Sequence, residues 1–111
     1  MPEPEIRELR YFQAVAEDLN ITRAAERLGI AQPPLSRAMR QLERRVGVDL
    51  FDRSSARLAL TEAGETLAAE AVAVLAALDA AVRKTQDAAV RRSSEPPAEP
   101  LPADPAGQDP R

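Results

Sequence analysis

The sequence contains neither cysteine nor histidine, and this absence removes several kinds of chemistry at once. The chain has no disulfide, no thiolate nucleophile, no imidazole base and none of the usual zinc ligands. Catalysis would rest on carboxylates alone, so we expect no enzyme activity, no catalytic residue, no metal site and no cofactor. Two pairs of carboxylates come nearest to an acid/base arrangement: Glu17 with Asp18, and Glu62 with Glu65. Both pairs lie on predicted helix surfaces and are interpreted as solvated charge.

Long apolar runs and a basic leader segment are also missing. No stretch approaches the roughly 18 apolar residues that a membrane-spanning helix needs. Residues 1–5 are acidic and contain two prolines, which is unlike a secretion signal. We therefore expect a cytoplasmic protein that does not contact a membrane. A chain of 111 residues has room for one small domain with appendages.

The formal net charge of −3 argues, as an average, against a nucleic-acid partner. The charge is unevenly distributed, however. Residues 23–57 contain eight arginines and four acidic residues, whereas residues 61–111 contain five basic and nine acidic residues. The middle of the chain is therefore basic although the whole chain is acidic.

Residues 21–40, ITRAAERLGIAQPPLSRAMR, lie almost entirely within this basic window and have the spacing of a helix-turn-helix. Ala25 supplies a small side chain where two helices touch, Gly29 can take the positive φ of the turn, and Leu35 is an apolar plug. The pattern predicts a helix over residues 22–28, with Asn20 or Thr22 as its N-cap.

Two apolar stripes predict how the neighbouring helices pack. A first helix is expected over residues 5–19. A third helix is expected to begin at residue 32 or 33, because proline fits the first turn of a helix, and to end at Gly47 as its C-cap. The first stripe would form the floor of the core, and the second would face it. The stripes are Ile6, Leu9, Phe12, Val15, Ala16 and Leu19, then Leu35, Ala38, Met39, Leu42 and Val46.

Two short apolar runs, Leu50–Phe51 and Leu58–Leu60, predict a β-hairpin, or wing, with Arg53 and Arg57 flanking its tip. Thr61 is a good N-cap for an alanine-rich helix over residues 62–92. Residues 93–111 contain six prolines and little apolar mass, so they are expected to form a disordered acidic tail.

The helix over residues 62–92 would be a rod of roughly 45 Å, which a domain of about sixty residues cannot cover. Its first turns can pack on their own domain, but the remaining apolar stripe favours helix-to-helix dimerisation. The predicted dimerisation residues are Leu67, Ala71, Leu75, Leu78 and Val82.

The third helix has the features of a DNA recognition helix, whose N-terminal residues meet base edges in the major groove. Gln32 suits adenine, Arg37 suits guanine, and the two adjacent prolines can press on a thymine methyl group. The start of the second helix suits phosphates, and the wing arginines suit a minor groove. Arg27, Arg44 and Arg45 are interpreted mainly as surface charge. The predicted DNA-binding residues are Thr22, Arg23, Gln32, Pro33, Pro34, Ser36, Arg37, Arg40, Arg53 and Arg57.

The stretches LRYFQAVAEDLNITRAAERLGIAQPPLSRAMRQLERRVGVDLFDR and LTEAG resemble the N-terminal domain of LysR-type transcriptional regulators, over about residues 6–92. The resemblance implies a mostly α fold, with a winged helix-turn-helix over residues 1–61 and a linker helix over residues 62–92 that pairs antiparallel with that of a second subunit. It also implies binding of double-stranded DNA at an interrupted inverted repeat, through positions that include Gln32, Pro33, Ser36, Arg37 and Arg53.

The chain departs from this family at its end, where the tail of residues 93–111 stands in place of a two-lobed effector-binding domain. We therefore expect no small-molecule inducer site in this chain. An alternative hypothesis is a truncated regulator that forms a heterodimer with a full-length relative through the linker helix and modulates it. A smaller departure is Ala31, which stands where a serine cap is often found and predicts a weaker N-cap.

Overall fold

The computed structural model describes residues 3–94, and this part of the chain is mostly helical. Three helices come first, a two-stranded antiparallel sheet follows, and a long helix ends the described residues. The order confirms the predicted winged helix-turn-helix with a long C-terminal helix. No helix within residues 3–94 is long and apolar enough to cross a membrane. The elements are α1 (Ile6–Asp18), α2 (Ile21–Leu28), α3 (Gln32–Val46), β1 (Phe51–Asp52), β2 (Ala59–Leu60) and α4 (Glu62–Ser94).

The described residues divide into two units, residues 3–78 and residues 79–94. The first unit therefore includes the first turns of α4 in addition to residues 3–61. α4 continues to Ser94, slightly beyond the predicted end at residue 92. The rest of the predicted tail, residues 95–111, lies outside the described residues.

Local interactions at the helix ends set the turn between α2 and α3. The Asn20 side chain accepts a hydrogen bond from the Arg23 N–H at 2.8 Å, so Asn20 rather than Thr22 is the N-cap of α2. Gly29 closes α2 with a φ of 71°, which a residue without Cβ adopts at little cost. Ala31 precedes α3 and makes no side-chain capping hydrogen bond, as its methyl group predicts.

The core of the first unit is built mainly from α1, α3 and the chain entering β1. The Phe12 and Phe51 rings meet with centroids 5.5 Å apart and planes tilted by 58°, which joins α1 to the wing. Burying each large apolar side chain contributes about 1.5 to 3 kcal/mol. The largest side chains that are essentially fully buried are Phe12, Val15, Leu35, Met39, Leu42 and Leu50.

The predicted apolar stripes are confirmed at their centres but wrong at their ends. Ile6 and Leu19 are 42 % and 41 % exposed, and Val46 is 38 % exposed. Leu19 has a φ of 49° and forms the C-cap of α1, while Val46 is the last residue of α3. Side chains at the ends of a helix extend past the neighbouring elements, so apolar periodicity alone overestimates their burial.

The wing is confirmed as a hairpin in which Phe51 pairs with Leu60 and Asp52 with Ala59. Its turn is stabilised locally, because the Asp52 carboxylate accepts hydrogen bonds from the Ser54 hydroxyl at 2.6 Å and the Ser54 N–H at 2.9 Å. The Ser54 hydroxyl and then its backbone N–H lower the pKa of Asp52 below its ordinary value of 3.8.

The start of α4 is fixed against the chain that enters β1. The Thr61 hydroxyl accepts from the Gly64 N–H at 3.0 Å, which confirms Thr61 as the N-cap, and donates to the Asp49 carbonyl at 2.7 Å. Gly64 is buried, and a Cβ there would collide with the Leu50 carbonyl oxygen and lie 3.1 Å from the Leu60 side chain. A glycine is therefore required by the close approach of α4 to the wing.

The stripe predicted for dimerisation is partly used within the chain itself. Ala71 is 1 % exposed and Leu75 is 3 % exposed, whereas Leu67 and Leu78 are half-buried. Ala71 and Leu75 are therefore covered by their own chain and are not open to a partner, which corrects the expectation for these two positions. Val82 is 46 % exposed.

We predict that Gly64→Ala destabilises the protein by about 2 kcal/mol. The collision is with backbone atoms of Leu50, so it costs about 3 kcal/mol, the upper end of the usual range, and outweighs the helix propensity of alanine, about 1 kcal/mol. Urea unfolding followed by circular dichroism measures the change. Gly47→Ala is a useful comparison, because an added Cβ meets nothing within 4 Å there and only the φ of 86° is strained. A Gly64→Ala protein as stable as the wild type would contradict the predicted contact.

We predict that Ser54→Ala raises the pKa of Asp52 towards 3.8, because the strongest hydrogen bond to the carboxylate is lost. Folding lowers this pKa, so the stabilisation is complete above pH 3.8 and is lost as the pH falls through the lower folded value. NMR titration of the Asp52 carboxyl group measures both effects. Ser55→Ala is the matched control, since that hydroxyl donates to the Arg57 carbonyl instead. An unchanged Asp52 pKa in Ser54→Ala would refute this account of the turn.

Candidate nucleic-acid interface

The inward row of α3 determines which of its side chains face outward. Leu35, Met39 and Leu42 are completely buried, so the residues between them lie on the opposite side of the helix. Ser36 is half-buried. The predicted contact residues that the structure leaves exposed along α3 are Gln32, Pro33, Pro34, Arg37 and Arg40.

The first turn of α3 is joined to the first turn of α2 by a side-chain hydrogen bond. The Thr22 hydroxyl donates to the Gln32 carbonyl oxygen Oε1 at 3.1 Å. An amide engaged through its oxygen leaves its NH₂ group as the donor for another partner. Thr22 is therefore placed to orient Gln32 in addition to its predicted role towards phosphate.

Four of the predicted DNA-binding residues come together around one cavity of about 620 Å³ between α2, the start of α3 and the wing. Thr22 and Arg23 come from the N-terminal end of α2, Gln32 comes from α3, and Arg57 comes from the wing. The N–H groups at the start of α2 add partial positive charge on the same side. Residues far apart in sequence thus form one concave surface that suits an anionic partner.

Arg40 and Arg44 line a second cavity of about 370 Å³ with Glu43 and the chain that follows α3. Both arginines are exposed. Their position on the later turns of α3 separates them from the cavity around Gln32.

Arg53 is paired with Glu43, a carboxylate of α3. Arg53 Nη1 lies 3.1 Å from Glu43 Oε1, and its side chain is 35 % exposed. The guanidinium group also lies over the Phe51 ring, 5.5 Å from the centroid. The Arg53 side chain is therefore held in a restrained conformation as it extends from the wing. Arg57, on the other arm of the hairpin, is exposed.

Two other arginines, Arg27 and Arg45, are engaged by carboxylates of α1. Arg27 is 3.1 Å from both Glu17 and Asp18, and the hydrogen bond that Arg27 donates to the Asp18 carboxylate contributes most to raising the pKa of Arg27. Arg45 is 3.1 Å from the buried Glu8. These pairs connect α1 to α2 and to α3, and they account for Glu17 and Asp18 as structural partners.

Sequence reasoning missed the structural roles of Glu8, Glu43 and Gly64. Glu8 and Glu43 are 4 % and 8 % exposed, which is unusual for carboxylates. A signal was present, because Glu8 lies four residues before Phe12 and Glu43 four residues after Met39, so both fall in the register of an apolar stripe. No comparable periodic signal marked Gly64.

Residues 6–65 match the family of bacterial regulatory helix-turn-helix proteins described as the lysR family. The chain is 54 % identical over 67 residues to the HTH-type transcriptional regulator BudR of Raoultella terrigena, covering 60 % of this chain and 23 % of that protein. It is also 54 % identical over 69 residues to the Hca operon transcriptional activator HcaR of Escherichia coli, covering 62 % and 23 %. The chain thus spans about a quarter of the length of these two relatives.

The fold is similar to solved structures in complex with DNA. A BenM_DBD/benA site 1 DNA complex superposes with a TM-score of 0.74 at 41 % identity, covering 77 % of this chain and 96 % of that chain. A CbnR_DBD–DNA complex gives 0.73 at 40 % identity, covering 77 % and 98 %. Full-length BenM gives 0.70 at 41 % identity, covering 74 % and 27 %.

The family match covers more than half of the chain, and the similar structures contain the same winged helix-turn-helix. The residues that the fold exposes on α2, α3 and the wing lie on the domain that this match identifies. The chain belongs to the lysR family of bacterial regulatory helix-turn-helix proteins and contains the DNA-binding domain of a LysR-type transcriptional regulator.

Proposed function

We propose that this protein recognises a specific promoter sequence by placing the start of α3 in the major groove and the wing against the neighbouring minor groove. The observation that carries the proposal is the convergence of Thr22, Arg23, Gln32 and Arg57 around one cavity beside the exposed face of α3. A duplex offers phosphates and base edges at such a surface, and backbone contacts position the protein while base contacts specify the sequence.

Individual roles follow from side-chain chemistry and position. Gln32, held by Thr22, presents its amide NH₂ to an acceptor on a base edge. Arg37 presents two guanidinium N–H donors that match the acceptors O6 and N7 of guanine. Pro33 and Pro34 offer apolar contact to a thymine methyl group. Arg40, one turn beyond the base-reading residues, pairs with phosphate.

The start of α2 and the wing complete the proposed contacts. Thr22, Arg23 and the N-terminal amides of α2 hold a phosphate. Arg53 and Arg57 meet a narrow minor groove, whose negative potential attracts arginine. Ser36, half-buried on α3, accepts or donates one hydrogen bond at the edge of the same surface.

Arg37→Ala and Arg40→Ala test this assignment as a pair with equal charge loss. We expect Arg37→Ala to cost about 1 to 3 kcal/mol on the preferred duplex and to relax the choice of one base pair. Arg40→Ala is expected to weaken binding to all duplexes alike and to reduce the salt slope by about 1. Titration of fluorescent duplexes at several salt concentrations measures both, with the duplex selected by the wild type from a random pool as the preferred site.

Arg83→Ala is the control with the same charge loss, because Arg83 is exposed on α4, an element to which no DNA contact is assigned. Unchanged affinity and base preference in Arg37→Ala would refute the placement of α3. A nearly flat salt dependence of wild-type binding would refute the phosphate contacts, because released counterions make such binding strongly salt-dependent.

We propose further that the protein binds an interrupted inverted repeat as a homodimer through α4. Two valines of α4 support this, because Val74 and Val82 are each 46 % exposed and lie about 80° apart around the helix. Exposed apolar side chains along a helix favour association with a partner helix. Val74 and Val82, with the half-buried Leu78, are the apolar contacts that we assign to the second subunit. Leu67, Ala71 and Leu75 lie on the same stripe, where Ala71 and Leu75 are covered by their own chain.

Val74→Glu and Val82→Glu are predicted to shift the protein from dimer to monomer in sedimentation equilibrium. They should weaken binding to the full repeat while leaving binding to a half-site unchanged. Ala76→Glu is the matched control, because Ala76 is exposed about 200° around the helix from Val74. A wild-type chain that remains monomeric alone but pairs with a full-length relative would reject the homodimer in favour of the heterodimer.

A further inference from the structure

Glu43 is the carboxylate on the recognition helix that is buried beneath the wing. It lies on α3 in register with Leu35 and Met39, and the residue is 8 % exposed. A buried carboxylate is costly unless hydrogen bonds satisfy its oxygens. Glu43 Oε2 accepts from the Leu50 N–H at 2.8 Å and from the Phe51 N–H at 3.1 Å. The recognition helix is therefore bonded directly to the backbone that begins the wing.

Glu43 also engages Arg53 through one nitrogen only. Arg53 Nη1 donates to Glu43 Oε1 at 3.1 Å and to Oε2 at 3.3 Å. A guanidinium group has five N–H donors on three nitrogens, and Nη1 is the nitrogen that Glu43 uses among the described residues. The Phe51 ring lies under the same guanidinium at 5.5 Å. The carboxylate and the ring together fix the direction of the side chain.

We propose that Glu43 is a positioning residue for Arg53: it holds the guanidinium by Nη1, so that the remaining donors face the DNA in one conformation. An arginine fixed before binding loses less rotamer freedom when it forms its contact than a free arginine does. The Glu43 bond also links the wing contact to the helix that reads the major groove. This inference rests on the proposed function, because Arg53 acts here as a DNA contact.

If Glu43 positions Arg53, removing the charge of Glu43 changes DNA affinity in the direction opposite to that expected from charge alone. A carboxylate near DNA repels phosphates, so removing its charge should strengthen binding if Glu43 has no positioning role. If Glu43 positions Arg53, removing its charge weakens specific binding although the protein becomes more positive. The sign of the change therefore distinguishes the two cases.

Glu43→Gln is the first variant, because the glutamine oxygen can still accept from the Leu50 and Phe51 N–H groups while the ion pair with Arg53 is lost. We expect its affinity for the duplex selected by the wild type to fall by roughly fivefold or more, the lower end of the usual cost of a lost specific contact. Glu26→Gln is the charge-matched control, since Glu26 is exposed on α2. It should bind as well as the wild type or slightly more tightly. Circular dichroism melting confirms that the variants are folded.

Arg53→Lys tests the same proposal without changing net charge or a buried residue. An ammonium group is a single point donor and cannot hold Glu43 with one nitrogen while another contacts DNA. We expect Arg53→Lys to lose nearly as much specific affinity as Arg53→Ala. In the Arg53→Ala background, Glu43→Gln should cause no further loss, because its effect acts through Arg53.

Binding of Glu43→Gln equal to or tighter than wild type would overturn the proposal. Binding of Arg53→Lys with wild-type affinity would also overturn the proposal. This second variant provides the test if Glu43→Gln does not fold. If Glu43→Gln also lowers DNA affinity in the Arg53→Ala background, Glu43 acts only on the folding of the wing, and this result would also overturn the proposal. Failure of the wild type to bind any duplex would instead refute the proposed function, so the two failures are distinguishable.

Discussion

The packing of the inner row of α3 onto α1 is the interaction on which the rest of the domain depends. Leu35, Met39 and Leu42 are completely buried with Phe12 and Val15. This contact fixes the rotation of α3 about its own axis, since a helix that buries one row must present the opposite row to solvent. The side chains proposed to read DNA, from Gln32 to Arg40, therefore owe their outward direction to apolar packing and not to any contact of their own.

A second constraint is polar and joins three elements at residues 49–51. The Leu50 N–H donates to Glu43 of α3, the Leu50 carbonyl accepts from the Thr61 N–H at 3.0 Å, and the Asp49 carbonyl accepts from the Thr61 hydroxyl. Gly64 allows α4 to approach the same backbone. The wing has only two residues in each strand, and a hairpin this short is not stable alone. Its position relative to α3 therefore depends on these hydrogen bonds.

Much of the fold could be predicted from local sequence rules, because those rules act over a few residues. The turn at Gly29, the C-cap at Gly47, the N-cap at Thr61 and the order of helices and wing were predicted, since each depends on nearby backbone geometry. The ends of the apolar stripes were wrong, because burial depends on how far the neighbouring element extends. Ala71 and Leu75 were assigned to a partner for the same reason: periodicity shows that a side chain is apolar but not which surface covers it.

The fold class, the basic recognition segment and its family could be predicted from the sequence alone, because apolar periodicity, capping residues and motif spacing are encoded in neighbouring positions. The three-dimensional packing was needed to show that Thr22 bonds Gln32, that Arg57 lies beside them and that Glu43 holds Arg53. These partners are 10 or more residues apart in sequence, and they meet only after the helices have packed. Their contacts depend on the rotation and separation of whole elements, which the burial of the core sets and no local pattern specifies.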